Sequence, residues 1–195
     1  MRFDGTFSIG PFTPLKRFPS GIYARVFLML WLAAAFCLAP GLRAQSASQR
    51  EYEIKAAYLY NFIKYVDWPN YGDTITIGIL GQNPFGPAVA TLNGKVVKGR
   101  RLVVRELASV RDGQNCQVVF VSASERSRLP EILDNLKSAR ALTVGETQGF
   151  ANDGGIINFV EENNKVRFEI NPASARRTGL TISSELLKLA KLVKS

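Results

Sequence analysis

Apolar positions follow a helical period at the start of the folded region and a strand pattern after it. From residue 51 they recur every three or four positions, which predicts a helix over 51–68 that Pro69 ends. Short β-branched runs bounded by turn residues predict four strands, at 74–80, 101–104, 117–121 and 141–144. Helical patterns at 87–92 and at 127–136, the latter capped by Ser127, separate these strands. The alternation predicts an α/β fold, with a mostly parallel sheet flanked by helices in a Rossmann-like three-layer arrangement.

The last part of the chain departs from this alternation. Apolar runs at 156–160 and 166–170 flank the polar stretch 161–165, which predicts a β-hairpin with a polar tip. Ser183 or Ser184 is placed to cap a final helix. The apolar face of that helix is predicted to carry Leu186, Leu189, Ala190 and Val193.

The N-terminus has the layout of a secretory signal. Arg25 precedes an uncharged apolar run of 13 residues at 26–38, and Pro40-Gly41 and a small-residue exit ending at Ala44 follow it. A membrane-spanning helix needs about 20 apolar residues, so the run is short for an anchor, and a buried core helix is the other alternative. We therefore expect a signal peptide with a preceding extension over 1–44, a single domain over 45–195 and no stable membrane span after processing.

Removal of the predicted signal peptide lowers the net charge of the chain. The whole chain carries 25 basic and 16 acidic residues, a net charge of +9. Residues 1–44 contain five of the basic and one of the acidic residues, so 45–195 retains 20 basic and 15 acidic residues, a net +5. Because this charge is spread along the chain, it does not indicate a nucleic-acid surface.

Cysteine and histidine usage limits the chemistry. The chain has no histidine, which removes the commonest metal ligand and the commonest general base. Cys37 lies in the signal, so Cys116 has no partner for an internal disulfide after processing. We expect Cys116 to be a partly buried, inert thiol at a strand end, with an intermolecular bridge as the alternative.

Motifs for catalysis or cofactor binding are missing from the sequence. The glycine-containing stretch 78–87 lacks the Lys-Ser/Thr of a P-loop and the register of a dinucleotide fingerprint. Neither Ser183 nor Ser184 has a lysine three residues on, as a Ser–Lys nucleophile requires. The sequence predicts no catalytic residues, no metal site and no cofactor, so we expect the protein not to be an enzyme.

Several segments, in order along the chain, resemble the YfiR-like family of periplasmic proteins. They are 55–69 (KAAYLYNFIKYVDWP), 77–81 (IGILG) with 83–86 (NPFG), 116–122 (CQVVFVS) with 124–125, 142–144, 149–150, 154–159 (GGIINF), 167–171 (RFEIN) and 180–190 (LTISSELLKLA). The resemblance implies a non-catalytic, periplasmic α/β domain that binds the periplasmic part of a membrane diguanylate cyclase, or of a sensor kinase, and represses it. It thereby implies an effect on cyclic-di-GMP signalling and biofilm formation. The best-known member has disulfides and redox sensitivity, for which Cys116 offers no internal partner.

The sequence also suggests where a partner would bind. Aromatic residues beside the end of the first helix are typical of interface hot spots, so Tyr58, Tyr65 and Trp68 are predicted, as exposed aromatics, to contact the partner. A homodimer is left open. The alternative function is a periplasmic sensor whose small-molecule ligand lies at the carboxyl edge of the sheet, near 81–86, and a third is an unrecognised hydrolase.

Overall fold

The computed structural model describes residues 47–69 and 72–193, and within them a mixed sheet of eight strands lies between helices. Its helices are α1 over 47–65, α2 Pro87–Ala90, α3 Leu129–Leu136, α4 Pro172–Arg177 and α5 Ser184–Leu189. Its strands are β1 Val66–Asp67, β2 Thr74–Leu80, β3 Val96–Val97, β4 Arg100–Leu107, β5 Val118–Val121, β6 Leu142–Gly145, β7 Ile157–Glu162, β8 Lys165–Ile170, β9 Thr181–Ile182 and β10 Lys191–Leu192. Two 3-10 helices, Val110–Asn115 and Ala123–Arg128, flank β5. The predicted signal peptide at 1–44 lies outside the described residues.

The sheet is wound in two directions from β2. Its strand order is β10-β8-β7-β6-β5-β2-β4-β3, and the five strands from β4 to β7 run parallel. The chain passes from β2 to β4 on one side and then crosses to β5, β6 and β7 on the other. The strand order therefore reverses between β2 and β5, which is where ligands bind in many doubly wound sheets. The predicted α/β fold with a mostly parallel sheet and a C-terminal hairpin is confirmed.

The two faces of the sheet carry separate cores. Val118 and Phe120 point into a core that includes Leu59 and Phe62 of α1. Val119 and Val121 belong to a second core with Ile132 and Leu136 of α3, among others. Because successive side chains of a strand point to opposite faces, the uninterrupted apolar run of β5 places the strand between two helical layers. The three-layer arrangement follows from this run.

The connection from β6 to β7 is held by one aromatic ring. Phe150 is fully buried between the backbones of Gly145 and Gly155, and a methyl group added at either glycine would overlap its ring. The ring belongs to the core on the α3 face. This packing fixes the loop 146–156, which contains no helix, against the carboxyl end of β6.

Three predicted elements differ from the structure at their ends. α1 stops at residue 65, because Val66–Asp67 pairs with Thr181–Ile182 in a small separate sheet. Ser127 does not cap α3; it lies inside a 3-10 helix whose N-cap is Ser122. Ser183 does cap α5, but α5 ends at Leu189 and the chain continues as β10 beside β8.

Two local features were only partly anticipated. The hairpin between β7 and β8 is tighter than predicted, because Asn163 and Asn164 both adopt positive φ and close a two-residue turn. Asn171 does not simply end β8: its side chain accepts a hydrogen bond from the amide of Ser174 and so caps α4, which the sequence analysis missed. No described helix is long and apolar enough to span a membrane.

Cys116 lies two residues before β5, packed beside Gly78 of β2. It is 3% exposed, and its Sγ lies 3.5 Å from the Arg105 guanidinium. The thiol is therefore buried, and more fully than the sequence analysis expected.

Candidate functional site

The aromatic side chains predicted to contact a partner occupy different environments. Tyr58 is half-buried and packs against Phe62 of α1 and Phe168 of β8, with ring centroids 5.9 and 5.4 Å apart. Tyr65, two helical turns further on and on nearly the same side of α1, is also half-buried, with the Lys64 ammonium 5.8 Å from its ring centroid. Both tyrosines keep part of their rings accessible.

Trp68 was predicted to be exposed, and this is wrong. The residue is buried, with only 8% of its surface exposed. Its indole Nε1 donates a hydrogen bond to the carbonyl of Gln117 at 3.2 Å, just before β5. The physical reason is the end of α1 at residue 65, after which the chain continues as β1 and brings the indole against the chain before β5. Tyr58 and Tyr65 thus lie on α1, and Trp68 lies three residues after its end. That these residues contact a partner stays a prediction.

A buried ion pair joins α1 to the carboxyl end of β6. Lys55 is 6% exposed, and its Nζ donates to Glu146 Oε2 at 2.8 Å and to Glu51 Oε1 at 2.6 Å. Tyr52 donates its hydroxyl to the same Glu146 oxygen, and the amide of Ala123 donates to the other. Each charge is therefore compensated, and the cluster ties the helical layer to the sheet.

The cluster changes how its members titrate. Burial acts to lower the pKa of Lys55, but its hydrogen bonds to Glu146 and Glu51 outweigh burial, so the net effect raises that pKa. Burial raises the pKa of Tyr52, and the negative charge of Glu146 adds to the effect. At neutral pH the ammonium stays charged and the phenol neutral, so neither group is poised to exchange a proton.

The chain's own side chains occupy the crevice between β2 and β5. Phe85 is 2% exposed, and its ring meets Phe120 of β5 edge-on at 4.7 Å and Tyr52 of α1 at 5.5 Å. Gly81 adopts φ +87°, and a side chain there would collide with Ser124. In the stretch 81–86, where the alternative hypothesis places a ligand, Phe85 is thus packed against protein atoms, while Gln82 and Gly86 are exposed.

The described residues offer no group for metal chemistry. Among 47–69 and 72–193, no three carboxylate, thiol or imidazole side chains are grouped so that they could hold an ion. The most buried ionic cluster, at Lys55 and Glu146, is internally satisfied. The arrangement suits a rigid scaffold that presents surfaces and cavities.

An apolar surface lies at the outer edge of the sheet. Leu189 at the end of α5 is 71% exposed and Leu192 of β10 is 52% exposed. Along 165–168 no described strand pairs with the outer side of β8, since β10 pairs only with Glu169 and Ile170. Sequence reasoning missed this edge because it placed Leu189 on the buried face of a longer helix.

The family model for YfiR/HmsC-like proteins matches residues 52–191. The match begins in α1 and ends in β10, so it covers both cores, the Lys55–Glu146 cluster and the outer edge of the sheet. The matched family is a regulatory rather than a catalytic one. This chain belongs to the YfiR/HmsC-like family.

Solved structures share the fold at low sequence identity. A conserved domain protein from Vibrio cholerae O1 biovar El Tor superposes with a TM-score of 0.52 and 14% identity, covering 73% of this chain and 60% of that one. This chain thus spans less than two thirds of that structure's length. A domain from Streptococcus pneumoniae in complex with L-Trp gives a TM-score of 0.47 and 14% identity, covering 61% of this chain and 55% of that one. The Vibrio cholerae likeness supports the fold.

Proposed function

We propose that this protein is an exported regulator that binds the periplasmic part of a membrane signalling protein, a diguanylate cyclase or a sensor kinase, and represses it. Repression follows if the protein binds the partner's inactive state better than the active one and so shifts its population. Release would then raise cyclic-di-GMP in the cell and promote biofilm formation. Membership of the YfiR/HmsC-like family over 52–191 is the observation that carries this proposal.

Apolar side chains at the outer edge of the sheet support a binding role. Tyr58 packs on Phe168 of β8, and Phe168 and Leu189 line one shallow cavity. We name Tyr58, Phe168, Leu189 and Leu192 the β8-edge surface. The half-buried Tyr58 ring beside the exposed Leu189 and Leu192 has the composition expected of an interface centre, and Phe168, which is 4% exposed, supports it from below. We propose that Tyr65, two helical turns after Tyr58 on nearly the same side of α1, extends the contact toward the exit of the helix, with Trp68 as a buried support.

The test is calorimetric titration of the processed protein against the periplasmic segment of a membrane cyclase or kinase encoded beside it. We expect saturable binding in the micromolar range or tighter. Leu189→Ser should weaken it at least tenfold, because burying a leucine is worth about 1.5–3 kcal/mol. Tyr65→Ala tests the exit of α1 in the same way.

A matched control lies at the opposite edge of the sheet. Val96 of β3 is 61% exposed, so Val96→Ser removes a similarly exposed apolar side chain far along the strand order and should leave binding unchanged. Equal losses for Leu189→Ser and Val96→Ser would contradict the β8-edge surface. No saturable binding by folded wild-type protein would contradict the choice of partner.

The second candidate function is sensing of a small molecule. A cavity lined by the loop that follows β6 favours it. A homodimer through the open side of β8 also stays a proposal, and analytical ultracentrifugation of wild type and Leu189→Ser would detect it.

A further inference from the structure

A cavity of about 390 Å³ lies between the β6–β7 loop and the β7–β8 pair. Gln148, Gly149 and Asn152 of the loop form one wall. Three carboxylate residues also line it, Glu146, Glu161 and Glu169, and none of its described lining residues is basic. The cavity is therefore negatively charged and large enough for a small organic molecule.

At this cavity the acceptor Asn158 Oδ1 lacks a donor, and the neighbouring Glu169 carboxylate lacks an ion-pair partner among the described residues. Asn158 and Glu169 are opposite each other on β7 and β8, and Asn158 Nδ2 donates to Glu169 Oε1 at 3.1 Å. Asn158 is fully buried, and its Oδ1 accepts no hydrogen bond. The amide cannot simply be turned over, because its oxygen would then face the carboxylate oxygen. A buried acceptor left without a donor costs about 1–3 kcal/mol, so the site is built at a cost to stability.

No described cation forms an ion pair with Glu169, although Lys191 lies opposite it on β10 and Arg167 lies two residues away on the same face of β8. Lys55 is engaged by Glu146 and Glu51, at 2.8 and 2.6 Å. Among the residues that the structure describes, Glu169 has no ion-pair partner, although it is only 8% exposed. A buried carboxylate without a compensating cation is unfavourable unless a bound group supplies the charge.

We propose that this cavity binds a small organic cation with an N–H donor, a primary ammonium compound. Its ammonium pairs with the Glu169 carboxylate and supplies the donor that Asn158 Oδ1 lacks, while its alkyl part lies along Val160, which is on the same face of β7 as Asn158. The grouping of carboxylates does not meet the needs of a metal ion, and the cavity exceeds the volume of one. This site does not rest on the proposed membrane partner.

The β6–β7 loop is positioned to keep the cavity open in the free protein. Phe150, held between Gly145 and Gly155, anchors the loop directly after Gly149. Asn171 Nδ2 donates to the carbonyl of Ala151 at 2.8 Å and fixes the same loop from the end of β8. The wall formed by Gln148 and Gly149 is therefore preorganised, which lowers the cost of binding.

The test is NMR titration of the purified, naturally processed protein with butylammonium, following the side-chain amide of Asn158. We expect saturable shifts of that amide, with a dissociation constant in the millimolar range or tighter, as suits a ligand of few atoms. Two compounds serve as controls. Tetramethylammonium has the positive charge but no N–H group, and butanol has a similar shape but no charge. Each should bind at least tenfold more weakly.

Glu169→Gln keeps the shape of the side chain and removes its charge, so it should weaken butylammonium binding at least tenfold. Glu162→Gln, on the exposed hairpin and outside the cavity lining, is the matched control and should bind as wild type does. If Glu169→Gln does not fold, Glu161→Gln at the more exposed part of the lining should still show weaker binding. Equal binding by wild type and the cavity variants, binding of Ca²⁺ alone, or no shift of Asn158 would overturn the proposal. Because no partner protein is present, these outcomes are independent of the proposed regulatory function.

Discussion

The Lys55–Glu146 pair permits a direct measurement of what burial does to an ion pair in this protein. Lys55→Met keeps most of the side-chain volume and removes the ammonium, which leaves Glu146 buried with only the Tyr52 hydroxyl and the Ala123 amide as donors. Removing one partner of a buried pair costs about 3–5 kcal/mol. Since these two donors remain, we expect the low end, about 3 kcal/mol. For a domain of this size that lowers Tm by about 6–12 °C.

A surface pair of equal length provides the control. Lys137 Nζ and Asp134 Oδ1 are also 2.8 Å apart, but both side chains are more than 70% exposed. Exposed pairs contribute about 0.2–1 kcal/mol, so Lys137→Met should cost well under 1 kcal/mol. The difference between the two substitutions reports mainly on burial, because distance and replacement are the same, with a smaller contribution from the additional Lys55–Glu51 pair, whose carboxylate is 41% exposed.

The assay is urea unfolding of each variant, monitored by circular dichroism, together with the double variant Lys55→Met/Glu146→Gln. We expect the double variant to recover much of the loss, since it removes both buried charges, with a coupling energy of about 1.5–3 kcal/mol. Equal costs for Lys55→Met and Lys137→Met, or additive losses in the double variant, would refute the reasoning that the pair acts as a buried unit.

Three further outcomes follow from other features. Folding raises the pKa of both Lys55 and Tyr52, so above pH 10 the unfolded chain loses protons that the folded chain retains. The free energy of unfolding should therefore fall as pH rises in this range. The fall should be less steep in Tyr52→Phe. An identical slope in Tyr52→Phe would show that Tyr52 contributes nothing to it. Gly155→Ala should lower the free energy of unfolding by about 1–3 kcal/mol, because the new methyl overlaps the Phe150 ring. Gly72→Ala, in open space, should change it by less than about 0.5 kcal/mol. Thermal unfolding compares the two variants, and equal effects would argue against the packed ring. Cys116 should react with a thiol reagent only after unfolding, since it is 3% exposed; rapid modification of the native protein, or a disulfide-linked dimer on a non-reducing gel, would contradict its burial.

The central strands were predictable from local pattern because they are buried on both faces. The predicted strand at 74–80 coincides with β2, and the one at 117–121 differs from β5 by one residue. The edges of the sheet were not predictable in this way. Leu189 and Val193 share a helical spacing, yet the chain leaves the helix at Leu189, because Lys191 and Leu192 pair with β8. Only the presence of β8, distant in sequence, makes that conformation favourable.

The ionic groups of the candidate sites had no local signature. Lys55 and Glu146 are 91 positions apart, and each taken alone resembles a solvated surface charge. Asn158 and Glu169 alternate with apolar neighbours as outward-facing residues of a hairpin would, and they are buried because the β6–β7 loop covers that face. The three aromatic residues were recognised from composition, but their exposure depends on where α1 ends.

The position of Trp68 gives the molecule a built-in optical reporter. The chain contains two tryptophans, and Trp31 lies within the predicted signal peptide, so the processed protein would contain a single indole. That indole sits where the exit of α1 meets the start of β5, with its N–H bonded to the Gln117 carbonyl. Its emission should shift to longer wavelength when this junction takes up water, even if the sheet stays intact. Detachment of α1 could therefore be timed separately from unfolding of the strands, without any added label.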